Sequence, residues 1–556
     1  YMSETETNET ATRPSDKVPL TEKMAYGIGL ASDHYATVCI SIFLMAFYTD
    51  FLDAGIKATV VGLAIGVARL WDAFTDPLAG RISDRFKSKW GRRRPFILVG
   101  SLLMGCFYPV IWMVPETMST TAIHVWLFGS VLVFYTLYSV FSVPYEALGA
   151  ELTPDYRERT RIFVVRTYIQ QAFNLGIHWI FPLAMALATL PSVGSKTEGV
   201  RIVSWVIAGV IICAGAFPAI FCRERYAEIA QKEAAEAPVS FGQSIKSLVG
   251  NIPLLIVVGT ICTYLFSIML SMNLGYFVNT YYIYGGDTLS GATLGAIDGT
   301  MRLIIAIFAA FSIKQLTNRF DKHHLMIACV IILMIGFVGT YFTTLPGRPW
   351  LTLTMKPFIA IGEVGFWVLV MSLRADVCDW DEYRTGTRSE GMIAAITNWV
   401  NKIAITLALV LSGVMIDHVI KFDSNLDDEA KQVIEVQAQE EWNALGDDEK
   451  HIAEVKTYES FGEIASELSA QMLPFGSSEE EAVGVTYDAY KKNLEQKAVM
   501  SKNGSDVMQR LRILYTLPQV IALICCLFFL FKYPLNSVRM AEIRKELEAR
   551  RGETSQ

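Results

Sequence analysis

Apolar residues recur along most of this 556-residue chain in stretches of about 20, the length a helix needs to cross a hydrocarbon layer of about 30 Å. The stretches lie near 25–51, 60–80, 96–114, 123–148, 163–190, 202–221, 254–280, 289–313, 325–345, 351–373, 392–420 and 511–531. They predict an all-α membrane protein with twelve transmembrane helices. Composition strengthens this: 52% hydrophobic content with 31 Phe and 11 Trp is more apolar surface than a soluble core of this length normally buries. The polar residues before Ala25 hold no short apolar core with a small-residue cleavage site, so the first span is expected to stay in place. Cys39, Cys106, Cys262 and the pair Cys525 and Cys526 sit inside apolar runs without metal-site spacing and read as small packing residues.

Basic connections set the expected orientation. Arg81, Arg85, Lys87, Lys89, Arg92, Arg93 and Arg94 follow the second span, Arg157, Arg159 and Arg161 the fourth, and Arg544, Lys545, Arg550 and Arg551 lie in the tail. Lys and Arg collect on the cytoplasmic side, so both termini are expected there, in a multi-pass protein of a bacterial inner membrane. The expected partition is a terminal tail at 1–24, a six-helix half at 25–222, a central linker at 223–251, a second half built from 252–421 and 509–533, and a tail at 534–556.

Residues 422–508 stand apart, with 20 acids against 7 lysines, whereas the whole chain carries a net charge of −7. The low pI therefore belongs to this insert, and the remaining chain is net positive. The Glu, Ala, Gln and Lys pattern predicts an extracytoplasmic helical insert between the eleventh and twelfth spans, and Ser477 with Glu480 has capping-box spacing for a further helix. It reads as a solvated cap over the outer mouth; the competing reading is a docking surface for a protein partner.

An internal echo supports two halves. "RLWDAFTDPLAGRISDR" from Arg69 to Arg85 is repeated as "RLIIAIFAAFSIKQLTNR" from Arg302 to Arg319. Opposite Asp72 and Asp76 the second half has Ile305 and Ala309, so this acid pair points to function rather than to a requirement of the fold.

Ionisable groups within apolar spans cost several kcal/mol and usually face a cavity. Spacings of three and four place Arg69, Asp72 and Asp76 on one helical face, where the two carboxylates can ligate a hard cation or share a proton. The alternative is an internal salt bridge to Arg69. Asp33 lies among small residues in the first span, suited to solute approach or a helix-helix bond. Glu146 lies in the fourth, near Ser139, Ser142 and Pro144, as an additional cation, proton or solute group. Arg166, Gln170, Asn174 and His178 form a polar stripe along the fifth, and Asn398 precedes Lys402 by one turn in the eleventh. Trp367 shares a face with Glu363 and reads as packing or as a platform for a sugar ring.

The strings "YGIGLASDHY", "ARLWDAFTDPLAGRISDRFKSKWGRRRPFI", "VPYEALGAELTPDYRERT" and "ADVCDWDEYRTGTRSEG" resemble the glycoside-pentoside-hexuronide:cation symporter family of the major facilitator superfamily, typified by the melibiose carrier. The resemblance implies sodium, lithium or proton coupling at Asp72 and Asp76 with help from Ser139, the metal being sodium if sodium drives transport. It also implies sugar contacts from Asp33, Arg166, Trp367 and Lys402. This chain departs from the family member compared in carrying Ser142 for an aspartate and Glu146 for a tryptophan. Gly80, Asp84, Arg85, Arg92, Arg93 and Arg94 resemble the superfamily's loop signature, with Asp376, Asp379, Asp381, Arg384 and Arg388 as the facing patch on the other half. The expected function is cation-coupled symport of a sugar or glycoside by alternating access. It needs no cofactor beyond the coupling cation and no nucleic acid, and the carrier is expected to be a monomer in the lipid bilayer. A carrier of lysolipids or other amphiphiles and a sensor using the outer insert are the rivals. A membrane enzyme is disfavoured, since no nucleophile-base pair, metal cluster or phosphate loop appears.

Overall fold

The computed structural model describes residues 17–52, 54–86, 88–115, 117–153, 155–224, 250–317, 319–386, 390–422, 428–444 and 487–553. Twelve helices are long and apolar enough to span a membrane, and no strand occurs among the described residues. In chain order they are α1 (Leu20–Ala46), α2 (Ala58–Arg85), α3 (Arg94–Phe107), α4 (Thr120–Glu151), α5 (Tyr156–Ala188) and α6 (Lys196–Phe221). The second set is α7 (Ile252–Phe277), α8 (Thr288–Leu316), α9 (Lys322–Thr343), α10 (Lys356–Thr385), α11 (Glu390–Val414) and α12 (Tyr487–Phe531).

Several helices outrun their apolar stretches, because intrahelical bonding continues into polar residues at the ends. Thus α1 starts at Leu20, five residues before the expected span, and α4 carries on to Glu151. The α12 helix is broken at Gly504, whose φ of 64° and ψ of 171° suit a residue without a Cβ. Its first part packs against the insert helix Asp428–Ala444, where Lys491 pairs with Glu435. The remaining insert, including the Ser477 and Glu480 spacing, lies outside the described residues, as do most of the central linker, Lys87 and Arg388. The tail forms a helix, Ser537–Glu553, that buries Met540, Ile543 and Leu547 against the second half.

Packing within each set is dense: α1 lies on α5 and α6, α3 on α4 and α6, and α2 on α4; α7 lies on α11 and α12, and α9 on α10 and α12. The two sets meet through α2 with α11 and through α5 with α8. Small residues allow the first approach. A Cβ on Gly62 would stand 2.7 Å from the Leu409 carbonyl, and one on Gly66 would stand 2.8 Å from Val410 Cγ2, so this seam needs its glycines four apart.

The bundle has a terminal end, holding the first and last described residues and the basic loops, and a distal end. At the distal end α1, α7 and α11 each finish in a wide π-helical turn, Phe47–Phe51, Val278–Ile283 and Met415–Ile420. Each turn carries a residue that joins the halves. Asp50 accepts from the hydroxyl of Tyr281 at 2.6 Å and from that of Tyr276. Asp417 accepts from the backbone N–H groups of Ala58 and Thr59 at 3.1 and 2.7 Å, capping α2 from the opposite half. Phe51 and Phe181 pack edge-on against Tyr276, so a single apolar core crosses the seam there.

Candidate functional site

Midway along α2 the spacing of three and four residues does bring Arg69, Asp72 and Asp76 to one face, but their surroundings differ. Asp72 is 1% exposed, and neither of its carboxylate oxygens has a hydrogen-bond partner; its nearest cation is Arg69 Nη1 at 3.9 Å. That guanidinium lies 4.9 Å over the ring of Tyr135 on α4. Asp76 is well supplied. Ser139 donates to its Oδ1 at 2.7 Å and Lys402 to its Oδ2 at 2.6 Å. The Thr75 hydroxyl is 2.8 Å from that of Ser139, which completes a small group of oxygens between α2 and α4.

Two site residues have partners that the sequence alone did not indicate. Lys402, expected at the solute, reaches across the seam from α11 to Asp76, because α11 packs on α2 at this depth. Glu146, expected as a possible stand-in at the cation site, is seven residues beyond Ser139, about 10 Å along the helix axis, and pairs with Arg166 of α5 instead. Arg166 also lies 5.5 Å over Tyr26 and 5.6 Å over Tyr145 and Phe163, an aromatic cradle absent from the expectation.

The other expected solute contacts divide between the halves. Asp33 accepts from Tyr138 at 2.8 Å, and Gln170 bonds to His34 at 2.8 Å, so α1, α4 and α5 share one polar wall. Farther along the α5 stripe, Asn174 bonds to Gln171 at 2.9 Å and His178 packs against Gly299 of α8. Asn398 is exposed on α11. Trp367 stands on α10 with its ring edge-on to Tyr264 and Phe366, at 5.7 and 5.8 Å.

The second half is richer in charge than its repeat suggested. Ile305 and Ala309 do stand where the first half has acids, yet Asp298 lies one turn before Arg302, and Glu363 reaches Arg302 from α10 at 3.2 Å. Lys356 closes the network on Asp298 at 3.2 Å. The available signal was the four-residue step from Asp298 to Arg302 in an apolar helix; a repeat read from Arg302 onward skips it.

At the terminal end the expected gating charges pair inside their own halves. Asp84 meets Arg93 at 2.9 Å and Arg92 at 4.0 Å; Glu151 meets the same arginines at 2.6 and 2.5 Å. Glu224 accepts from the backbone N–H groups of Arg92, Arg93 and Arg94 at 2.7, 2.9 and 3.0 Å, capping α3. Gly80 sits near Val143, and Arg85 is exposed. Asp376 and Asp379, expected to face those arginines, are held by Lys322 and Arg544 of the second half, so in this conformation the patch is not joined to the loop. The cross-half contacts named above run from the distal turns to the Asp76 and Lys402 pair.

No group of three or more His, Cys, Asp or Glu side chains converges as a metal cluster among the described residues. Two carboxylates with neighbouring hydroxyls are instead the oxygen donors a hard cation takes.

A family model described as MFS/sugar transport protein matches residues 25–475. The chain is 26% identical over 403 residues to the uncharacterized symporter YnaJ of Bacillus subtilis (strain 168), covering 72% of this chain and 83% of that protein. It is 24% identical over 432 residues to the isoprimeverose transporter of Lactiplantibacillus pentosus, covering 73% and 83%. Its fold is similar to that of a bacterial homolog of the human lysosomal transporter Spinster, solved in an inward-facing and occupied conformation, with a TM-score of 0.55 at 12% identity over 92% of this chain and 95% of that one. With twelve spans, two packed halves and a family match over most of its length, the chain belongs to the MFS/sugar transport protein family and is a transporter rather than an enzyme.

Proposed function

We propose that the protein is a secondary carrier that moves a sugar or glycoside together with a cation by alternating access, with Asp72 and Asp76 receiving the cation. The observation that carries this reading is the Asp72 carboxylate, buried to 1% exposure without a hydrogen-bond donor, one turn from Asp76. A buried unbonded carboxylate is costly, and a cation or proton arriving there relieves that cost. Ser139 and Thr75 supply the hydroxyl oxygens.

Lys402 supports a specific coupling. While it holds Asp76, the positive charge at the seam is the protein's own; a bound cation takes over that role and releases the ammonium toward the cargo. Asp33, Arg166, Gln170, Glu146, Asn398 and Trp367 then line the route from the two sides. With the terminal end taken as cytoplasmic, on the strength of its basic loops, the joined distal end and the separately paired terminal charges correspond to an inward-facing carrier in a bacterial inner membrane. The isoprimeverose transporter among its relatives supports a saccharide as cargo.

The test is uptake into proteoliposomes under an imposed sodium, lithium or proton gradient, with a panel of saccharides. Accumulation that requires one of these gradients and is lost in Asp72→Asn is expected; uptake indifferent to every cation gradient would refute the reading.

A further inference from the structure

The cluster on α8 and α10 has two parts with different exposures. Lys356 and Asp298 are the inner pair, with side chains 8% and 19% exposed; Arg302 and Glu363 are the outer pair, at 33% and 28%. Neutralisation alone is satisfied by two cations with two acids, and it does not require the outer pair to be open. Nor is that opening toward lipid. The apolar stripe of α8 that faces outward runs through Ile304, Ile307, Phe308 and Phe311, and Phe311 is two and a half turns from Arg302, on the opposite face of the helix. Arg302 therefore faces α10 and the seam with α5, where His178 meets Gly299.

Bonding capacity is left over at this place. Arg302 donates to Glu363 through Nη1 and faces Asp298 through its buried Nε at 3.6 Å, which leaves the Nη2 donors on the half-buried side of the guanidinium. One turn beyond Glu363 on the same face stands Trp367, its ring held edge-on by the buried Tyr264. A carboxylate that accepts from adjacent hydroxyls, a guanidinium with spare donors and an indole face are the three groups that together read a pyranose.

We infer that Arg302 and Glu363, backed by Trp367, form a cargo-recognition subsite in the second half, for the hydroxyl-rich ring of a pyranoside. The inference rests on the symport reading and adds to it the place where cargo identity is decided. The contrast between the halves gives it its logic. Arg69 and Arg302 occupy equivalent positions in the repeat; the first faces Asp72 on its own helix at 3.9 Å, and the second stands between Asp298 on its own helix and Glu363 brought from α10. One arginine position thus serves the cation in one half and the cargo in the other.

The experiment uses the full chain in lipid nanodiscs and a thermal-shift and calorimetric panel of D-xylose, D-glucuronate, methyl β-D-glucopyranoside and methyl β-D-galactopyranoside, each with sodium, lithium or neither. Wild type, Glu363→Gln, Arg302→Lys and the charge-neutral double variant R302Q/E363Q are compared, and their unliganded melting midpoints and monodisperse elution report folding. Glu363→Gln is expected to weaken the best probe by about tenfold and to change the order of the probes, because a site built to accept hydroxyls discriminates through them. A purely structural pair would lower the midpoint and leave that order alone. Unchanged affinity and order in Glu363→Gln and in the double variant would overturn the subsite while the symport reading stands. A wild type that responds to no probe under any cation would overturn both.

Discussion

Lys402 on α11 donates to Asp76 on α2 at 2.6 Å, joining a base of one half to an acid of the other across the seam. Four residues away Asp72 has no such partner. The two acids of one helical face therefore differ in energy, and substitutions separate them.

Asp72→Asn removes a buried carboxylate that accepts no hydrogen bond but also takes the nearby acid from Arg69, so the two effects offset: the unliganded melting temperature is expected to move by less than about 2 °C, while any cation-induced shift is abolished. Asp76→Asn leaves Lys402 unpaired and is expected to lower the unliganded melting temperature by about 2–4 °C. Differential scanning fluorimetry with and without sodium or lithium, and across pH, checks both; equal shifts of the same sign would contradict the asymmetry.

Lys402→Met takes away the internal competitor for Asp76. Cation affinity is expected to rise about fivefold, equivalent to about 1 kcal/mol of lost competition, while concentrative cargo uptake falls. Cation titration by calorimetry beside uptake in proteoliposomes provides the two readouts, and a weaker cation site in the variant would show that Lys402 does not compete.

At the distal end, Asp417→Ala deletes the acceptor of two backbone N–H groups. Amide exchange in the first turn of α2 is expected to quicken about tenfold, measured by hydrogen-deuterium exchange with mass spectrometry, with little change in the middle of α6. Protection that stays at its wild-type value would mean that the cap adds nothing to the seam.

The tail helix Ser537–Glu553 is tied to the bundle by Arg544, which bonds to Asp376 at 2.7 Å and Asp379 at 3.2 Å. Asp376→Ala also strips Lys322 of its acid partner, and it is expected to make trypsin cleavage between Arg539 and Arg550 about five times faster. Mass spectrometry of timed digests measures this directly.

What was legible beforehand follows from what local sequence encodes. Twelve spans are visible because hydrocarbon thickness imposes a minimum run, and Arg69, Asp72 and Asp76 because helical pitch alone places them together. Arg302 with Glu363 and Lys356 with Asp298 are pairs between helices about 60 positions apart, so no periodicity reports them. Lys402 was visible as a charge in a span, but its partner depends on which ends of the halves are closed. Asp50 and Asp417 lie where apolar runs finish and read as boundary residues; only the wide turns that aim them across the seam show otherwise.

The Asp417 cap also shapes how this chain can vary. Its partners are main-chain N–H groups, so the bond itself does not depend on the side chains of Ala58 and Thr59. The burden of inheritance falls on the acid alone. Proline breaks this independence: at position 58 its fixed φ suits the first turn of a helix, yet it has no N–H to give. Such a variant would fold and insert as before, and would carry its defect only in how long the distal end stays shut.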